Sequence, residues 1–304
     1  MTAAGGARTV EQAIRDMFAD AGVRGWLHAS DLDRPDARVT IDPEHPAPMG
    51  SLYKVPLMAA FCRLVDAGAL DPRARVTLEP SDHVPGPTGI SLLRDPVSVS
   101  LRDLVVLMMT ISDNTAGDAV LREVGAEAVE EVCRDLGMSR THIEGGTARA
   151  WSQLVTETGT RSLGDAIARI SDNDATIPPR VYDPLSKASG TPADLGRLLR
   201  AIWTDRAASA ANCAFMREIM GRQAWRHRLA SGFPYDDVTV SGKTGTFGAM
   251  RHEAGVVALP GGGTYVVAVF TRAARVDHRL PRADAVIGAA ARAAVEELAR
   301  GRDG

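Results

Sequence analysis

A chain of 304 residues, 45% hydrophobic and 24% charged, has the composition of a globular protein with material for a large core. Its 35 basic and 38 acidic residues leave a formal net charge of -3 and are interspersed, and six Phe, four Tyr and four Trp offer little for stacking on bases, so no nucleic-acid partner is expected. No run is long and apolar enough to span a bilayer and residues 1–8 lack the apolar centre of a secretory leader, so no membrane partner is expected and the location reads as cytoplasmic.

Residues 9–21 read as an amphipathic helix, with Val10, Ile14, Met17 and Phe18 on one face and Thr9 as its cap. Two short strands, 25–30 and 37–41, flank a polar turn, and proline-rich 42–49 is a loop. Residues 51–67 form a helix that is apolar nearly all round, which places it at the protein's centre. Pro56 in its first turns implies an irregular start. A short strand is expected at 75–78, and 84–89, with two prolines and two glycines, is a loop suited to lining a pocket. Helices are expected at 101–110, 115–124 and 126–136. The section 151–184 is the least legible and reads as short helices and a long loop. Thr191 as cap and Pro192 at the first position mark a helix at 191–204, and helices at 208–220 and 223–230 follow. Strands at 238–246, 252–259 and 264–271, the last two joined by Gly261-Gly262-Gly263, lead to a long amphipathic helix at 281–300. Cys62, Cys133 and Cys213 are far apart among apolar helical residues, and read as buried small hydrophobes rather than a disulfide framework. The element order implies an α+β protein in which both chain ends build one antiparallel sheet flanked by terminal helices, with an inserted all-helical part. A single domain is expected, one lobe from residues 9–48 and 232–301 and the other from 49–231.

Lysine is scarce, with Lys54, Lys187 and Lys243 the only three among the 35 basic residues. Arginine stays protonated in any protein site, whereas a desolvated lysine can lose its proton and serve as a base. Ser51 precedes Lys54 by three positions in an apolar helical run, so one turn brings hydroxyl and amine together. Alone, that spacing is common and usually means a helix cap near a solvated charge. Two further groups keep it company. Ser112-Asp113-Asn114 lies at a junction between helices, and Lys243-Thr244-Gly245-Thr246 lies in a strand. The seven histidines show no metal-ligand spacing, so neither metal nor cofactor is expected. Gly50 and Ser51 do not form a Gly-x-Ser-x-Gly elbow.

In order and approximate separation, the three groups resemble the motifs of the penicillin-recognising serine enzymes, which include class A β-lactamases and D,D-peptidases. Ile-Ser-Asp-Asn occurs twice, at 111–114 and at 170–173; the first matches the family spacing and the second reads as turn material. The resemblance implies Ser51 as acylated nucleophile, Lys54 as its base or as part of the proton relay, Ser112 as the group passing a proton to the leaving nitrogen, and Asn114 as holder of the substrate amide and of Lys54. It implies Lys243, Thr244 and Thr246 around a substrate carboxylate, with the N–H groups of Ser51 and Thr246 as oxyanion hole. Gly245 would let substrate approach the strand edge. Apart from the resemblance, Arg251 or His252, which begin the strand after Thr246, either border the pocket or lie on the surface.

One part of the pattern is missing. Class A β-lactamases carry a deacylating glutamate on a loop before the helix that starts here near Pro192. Counting back gives residues 171–179, which contain no glutamate; Asp172, Asp174 and Asp183 are shorter substitutes. The expected activity is therefore a serine hydrolase acting on a small β-lactam, amide or ester, with acylation intact and deacylation slow. An acyltransferase or D,D-peptidase with an amine acceptor is one alternative, and a non-catalytic β-lactam-binding sensor the other. The natural substrate and the oligomeric state are left open.

Overall fold

Both ends of the chain meet in a single sheet. The computed structural model describes residues 8–186 and 188–302; residues 1–7, which hold most of the stretch inspected for a leader, and Lys187 lie outside it. The chain begins with helix α1 (Val10–Asp20), whose N-cap Thr9 accepts a hydrogen bond from Gln12 N, and strands β1 (Val23–Asp31) and β2 (Arg38–Ile41). A two-residue strand β3 (Ala47–Pro48) and a 3-10 turn (Gly50–Tyr53) lead into helix α2 (Lys54–Asp66). Strands β4 (Arg75–Leu78) and β5 (Val97–Ser100) pair as a small hairpin. Helices α3 (Leu101–Thr110), α4 (Asn114–Val124), α5 (Ala126–Asp135), α6 (Thr147–Thr158) and α7 (Leu163–Ser171) follow. Strand β6 (Ser189–Gly190) pairs with β3, ahead of helices α8 (Pro192–Trp203) and α9 (Ala210–Gly221). Strands β7 (Thr239–Phe247), β8 (Met250–Ala258) and β9 (Thr264–Ala273) and helix α10 (Pro281–Arg300) complete the chain.

The main sheet has the order β2-β1-β9-β8-β7, with every pairing antiparallel. The first strand of the chain lies against the last, from Val23 opposite Ala273 to Asp31 opposite Tyr265. Alternation along β9 divides the interior in two. Val267 and Val269 join a cluster with Ile14, Phe18, Ile287 and Ala290 from the terminal helices, while Val266, Ala268 and Phe270 face Leu195, Leu198 and Leu199 of α8. A period of two is what lets one strand serve both cores.

Helix α2 is buried along most of its length, every residue from Lys54 to Cys62 being inaccessible or nearly so. Pro56 falls at its third position, where a backbone N–H would have no intrahelical partner anyway, so the proline costs no ladder bond there. The irregular start is the 3-10 turn that carries Ser51. All three cysteines are buried and free. No helix among the described residues is long and apolar enough to cross a membrane.

Three segments differ from the sequence reading. The loop at 42–49 contains β3, and β5 and β6 were not anticipated; strands of two to four residues are too short for alternation to show. The helix expected at 223–230 is absent, and the chain there runs irregularly into a 3-10 turn (Leu229–Gly232). Gln223 and Arg228 point inward onto sheet backbone, contacts that a solvent-facing helical turn could not make. The illegible section holds most of α6 and all of α7, which pack on each other, with Gly159 closing α6 in the left-handed conformation.

Candidate active site

Ser51 is placed by the docking of the 3-10 turn onto β7. A Cβ at Gly50 would lie 2.7 Å from both N and O of Thr246, and one at Gly245 would collide with Met49 O. The two backbones therefore touch through bare glycines. This corrects one expectation: the open face of Gly245 is turned to Met49 and Leu52 inside the protein, not to the cleft, and its glycine serves the seating of the turn.

One turn beyond Ser51, Lys54 is fully buried. Its Nζ donates to Ser112 O at 2.8 Å, Asp113 O at 3.1 Å and Asn114 Oδ1 at 3.0 Å. Three acceptors favour the ammonium and desolvation opposes it. Burial wins: it brings the amine down from its ordinary 10.5 to about 7, against the pull of Asp118 and Asp113.

Ser112 links the two lysines. Its backbone sits at φ +60, in the left-handed region that a non-glycine residue rarely adopts. In that conformation its carbonyl meets Lys54 while its Oγ accepts from Lys243 Nζ at 2.9 Å. Lys243 is also fully buried, and its second bond goes to Thr244 O. Its amine is pushed well below the usual lysine range by burial first and the like charge of Lys54 second. Asp113 caps α4 through Ala116 N and accepts Ile90 N at 2.7 Å, fixing the loop that carries Ser112. Asn114 gives its amide N–H to Pro85 O at 2.9 Å, so it ties Lys54 to the 84–89 loop. That loop lines the cleft through Pro85, Gly86, Pro87 and Thr88.

A cleft of about 720 Å³ is lined by Ser51, Ser112, Asn114, Thr244, Thr246 and Arg251, with Lys54 and Lys243 beneath it. Arg251 stands in its wall with its guanidinium committed to the carbonyls of Gly248, Met250 and Asp277. His252 does not border the cleft. It is fully buried, burial holds it neutral by lowering its pKa to about 3, and its Nε2 lies 3.0 Å from Pro48 O, which anchors the strand leading to Gly50.

Several residues at the site escaped the sequence reading. Arg228, in the segment taken for a helix, donates to Gly245 O, His252 O and Thr246 Oγ1, and pairs with Asp284 at 2.7 Å. Gln223 accepts Thr244 N at 2.7 Å and donates to the buried Glu253, which also accepts Leu229 N. None belongs to a motif, and only the fold brings them to β7.

The wall facing Lys54 also differs from the count back from Pro192. Among the described residues lining the cleft, Asp172, Asp174 and Asp183 do not appear, and Ser171 is the sole representative of 171–179. The facing wall is Glu144-Gly145-Gly146-Thr147. Thr147 Oγ1 lies 3.3 Å from Tyr53 OH and 3.5 Å from Asn114 Oδ1. Asp118 holds this wall in place, accepting Thr147 N and Ala148 N at 2.7 Å each. The Glu144 carboxylate is paired with His142 and Arg149, whose hydrogen bonds keep its carboxyl below the ordinary range. Counting fails because α6 and α7 lie between this wall and α8. Among the described residues no group of three or more His, Cys, Asp or Glu could hold a metal ion.

Residues 9–298 match the model of the beta-lactamase enzyme family. The beta-lactamase regulatory protein BlaB of Streptomyces cacaoi is 30% identical over 306 residues, spanning 92% of this chain and 94% of that protein. A beta-lactamase from Sphaerobacter thermophilus has a similar structure, with TM-score 0.76, 26% identity and 96% coverage of each chain. PBP-A, at 22% identity and TM-score 0.75 over 96% of each chain, shares the fold, and one of its mutants is an acyl-enzyme complex with penicillin G.

Proposed function

This chain belongs to the beta-lactamase enzyme family, and from that premise we propose that it is a serine acyl-enzyme former whose ester with a β-lactam, or another small amide or ester, is long-lived. The observation that carries the reading is Lys54, a fully buried amine titrating at about 7 one helical turn from Ser51. Near neutral pH a large fraction of it is unprotonated and able to take the Ser51 proton.

Ser51 Oγ attacks the substrate carbonyl carbon as its proton passes to Lys54 Nζ. The C–O bond forms, and the oxyanion is held by the N–H groups of Ser51 and Thr246, each such donor contributing about 3 kcal/mol. The C–N bond then breaks, and the leaving nitrogen takes a proton from Ser112 Oγ, which Lys243 Nζ replaces from 2.9 Å. One proton has left Ser51 and one has reached nitrogen. The like charge newly placed on Lys54 makes Lys243 the stronger acid, in the direction the step needs. Thr244, Thr246 and the Arg228 guanidinium behind them suit a substrate carboxylate, to which Lys243 Nζ adds a hydrogen-bond donor.

Hydrolysis of the ester requires water activated from the wall that Thr147 occupies. A threonine is no base there, and Glu144 is occupied by His142 and Arg149. Slow deacylation follows. The relative named as a regulatory protein favours one further reading, in which the persistent acyl-enzyme is itself a signal that a β-lactam is present.

Stopped-flow kinetics with a chromogenic cephalosporin, combined with time-resolved intact mass, test both. The expected result is a burst near one equivalent on Ser51, lost in Ser51→Ala, followed by slow turnover. Fast steady hydrolysis without adduct would replace slow release by ordinary β-lactamase action, and no adduct at all would remove β-lactams as substrates.

A further inference from the structure

Release of the Ser51 ester needs a base for water, and the groups already described do not supply one. Lys54 holds the proton taken from Ser51 until the ester collapses, Thr147 is no base, and the Glu144 carboxylate is engaged by His142 and Arg149. One hydroxyl at that wall has no role in the acylation steps above. Tyr53, the last residue of the 3-10 turn, is 3% exposed and lines the cleft. Its OH donates to Asp118 Oδ1 at 3.2 Å and lies 3.3 Å from Thr147 Oγ1.

Two features of α4 put it there. Asn114 and Asp118 are i and i+4, so one face of the helix carries a partner of Lys54 and the partner of Tyr53. Between them Gly117 is bare. A Cβ there would lie 2.8 Å from Lys54 Cε and 3.1 Å from Tyr53 OH, so its absence lets amine and phenol lie side by side on the helix. A phenol has one proton to give. With that proton turned to Asp118, the Tyr53 oxygen keeps a lone pair for an incoming donor. Burial, and after it the Asp118 charge, push the phenol above its ordinary range. It therefore lends no phenolate and acts only by passing one proton while taking another.

We propose that Tyr53 is the catalytic residue of ester release: water touching Tyr53 OH and Thr147 Oγ1 gives a proton to Tyr53 as Tyr53 passes its own to Asp118. The inference rests on the acyl-enzyme reading and adds the proton path for water to it. The water oxygen bonds to the ester carbon, and the N–H groups of Ser51 and Thr246 hold the oxyanion as before. The bond from that carbon to Ser51 Oγ then breaks, and Oγ takes back the proton on Lys54 Nζ. The proton left on Asp118 returns through solvent to Lys243, which gave one up during acylation. A hydroxyl has then been added to carbon and a hydrogen to nitrogen, the elements of one water. The Asp118 oxygens already accept Thr147 N and Ala148 N at 2.7 Å each, so an added proton competes with two short bonds and release stays slow.

The test follows the lifetime of the Ser51 adduct by time-resolved intact mass, after a single dose of benzylpenicillin and removal of the excess. Tyr53→Phe deletes one oxygen and keeps the ring. It should lengthen the adduct half-life by about 100-fold, the lower end of what positioned proton transfer contributes, while acylation falls far less. Asp118→Asn still accepts a backbone N–H but takes up no proton, and should lengthen the half-life to a similar degree. The double variant should be no slower than either single change, because the two residues act as one unit. Adduct lost from Tyr53→Phe at the rate of the unaltered chain would overturn the relay and leave the acyl-enzyme reading standing. Effects that multiply in the double variant would also overturn it, since independent structural losses add in free energy. Absence of adduct from the unaltered chain would overturn both readings.

Discussion

Lys54 and Lys243 are both buried, yet the proposed acylation asks opposite things of them. Lys54 must shed a proton, and its pKa is lowered from 10.5 to about 7, so protonation below that value removes the base. The acylation rate should therefore fall about tenfold per pH unit on the acid side of pH 7 and level off above it. Intact-mass kinetics across pH 5 to 9 measure this, and a flat profile would dismiss Lys54 as the base. Lys54→Arg should abolish acylation, because a guanidinium does not accept the proton, while Lys243→Arg should be milder because that site asks for charge and a hydrogen bond. A second residue-scale expectation concerns the wall facing Lys54. Thr147→Glu places a carboxylate next to Asn114 and Tyr53 and should speed loss of the Ser51 adduct by about 100-fold, a contribution ordinary for a positioned base. Unchanged adduct lifetime by mass spectrometry would mean that water is activated elsewhere. Lysine scarcity and three short motifs made Ser51, Lys54, Ser112, Asn114 and Lys243 legible before any fold was known. Arg228, Glu253 and Thr147 were not, because nothing local distinguishes them from surface residues.

At the scale of elements, the helix that forms the facing wall depends on a borrowed cap. The N-cap of α6 is Gly146, which has no side chain to offer, and Asp118 of α4 supplies the carboxylate to Thr147 N and Ala148 N. Asp118→Ala should cost about 1–2 kcal/mol, as the loss of a good cap does, and lower the melting temperature by a few degrees in a chain of this size. Thermal unfolding followed by circular dichroism checks it; an unshifted midpoint would show the cap to be idle. The same change should lower acylation modestly, since it also takes away the acceptor 3.2 Å from Tyr53 OH and leaves that hydroxyl with Thr147 Oγ1. Elements with strong local signals were read within a residue or two: α3 and α10 from apolar periodicity, α8 from Thr191 and Pro192, β9 from its alternation. The expected helix at 223–230 had comparable local propensity. It failed because Gln223 and Arg228 make better bonds to β7 backbone than to solvent.

For the whole molecule, β9 is the shared member, with alternate residues in the cluster under the terminal helices and in the cluster around α2. Neither cluster can lose it and stay packed, so unfolding should be one event. Far-UV circular dichroism and tryptophan fluorescence should trace coincident urea transitions, and separated midpoints would divide the chain into independent units. Periodicity, caps and turn residues determined by themselves the α+β class, the buried central helix and the meeting of both ends in one sheet, because those signals lie within one or two turns of chain. The three motifs likewise singled out Ser51, Lys54 and Lys243 as candidates for the site. What lies opposite them was decided only by tertiary structure. The distance from Pro192 back to the facing wall depends on whether α6 and α7 intervene, a packing fact with no local signature. Burial, not residue type, takes Lys54 to about 7, and the desolvation that does so comes from helices far away in sequence.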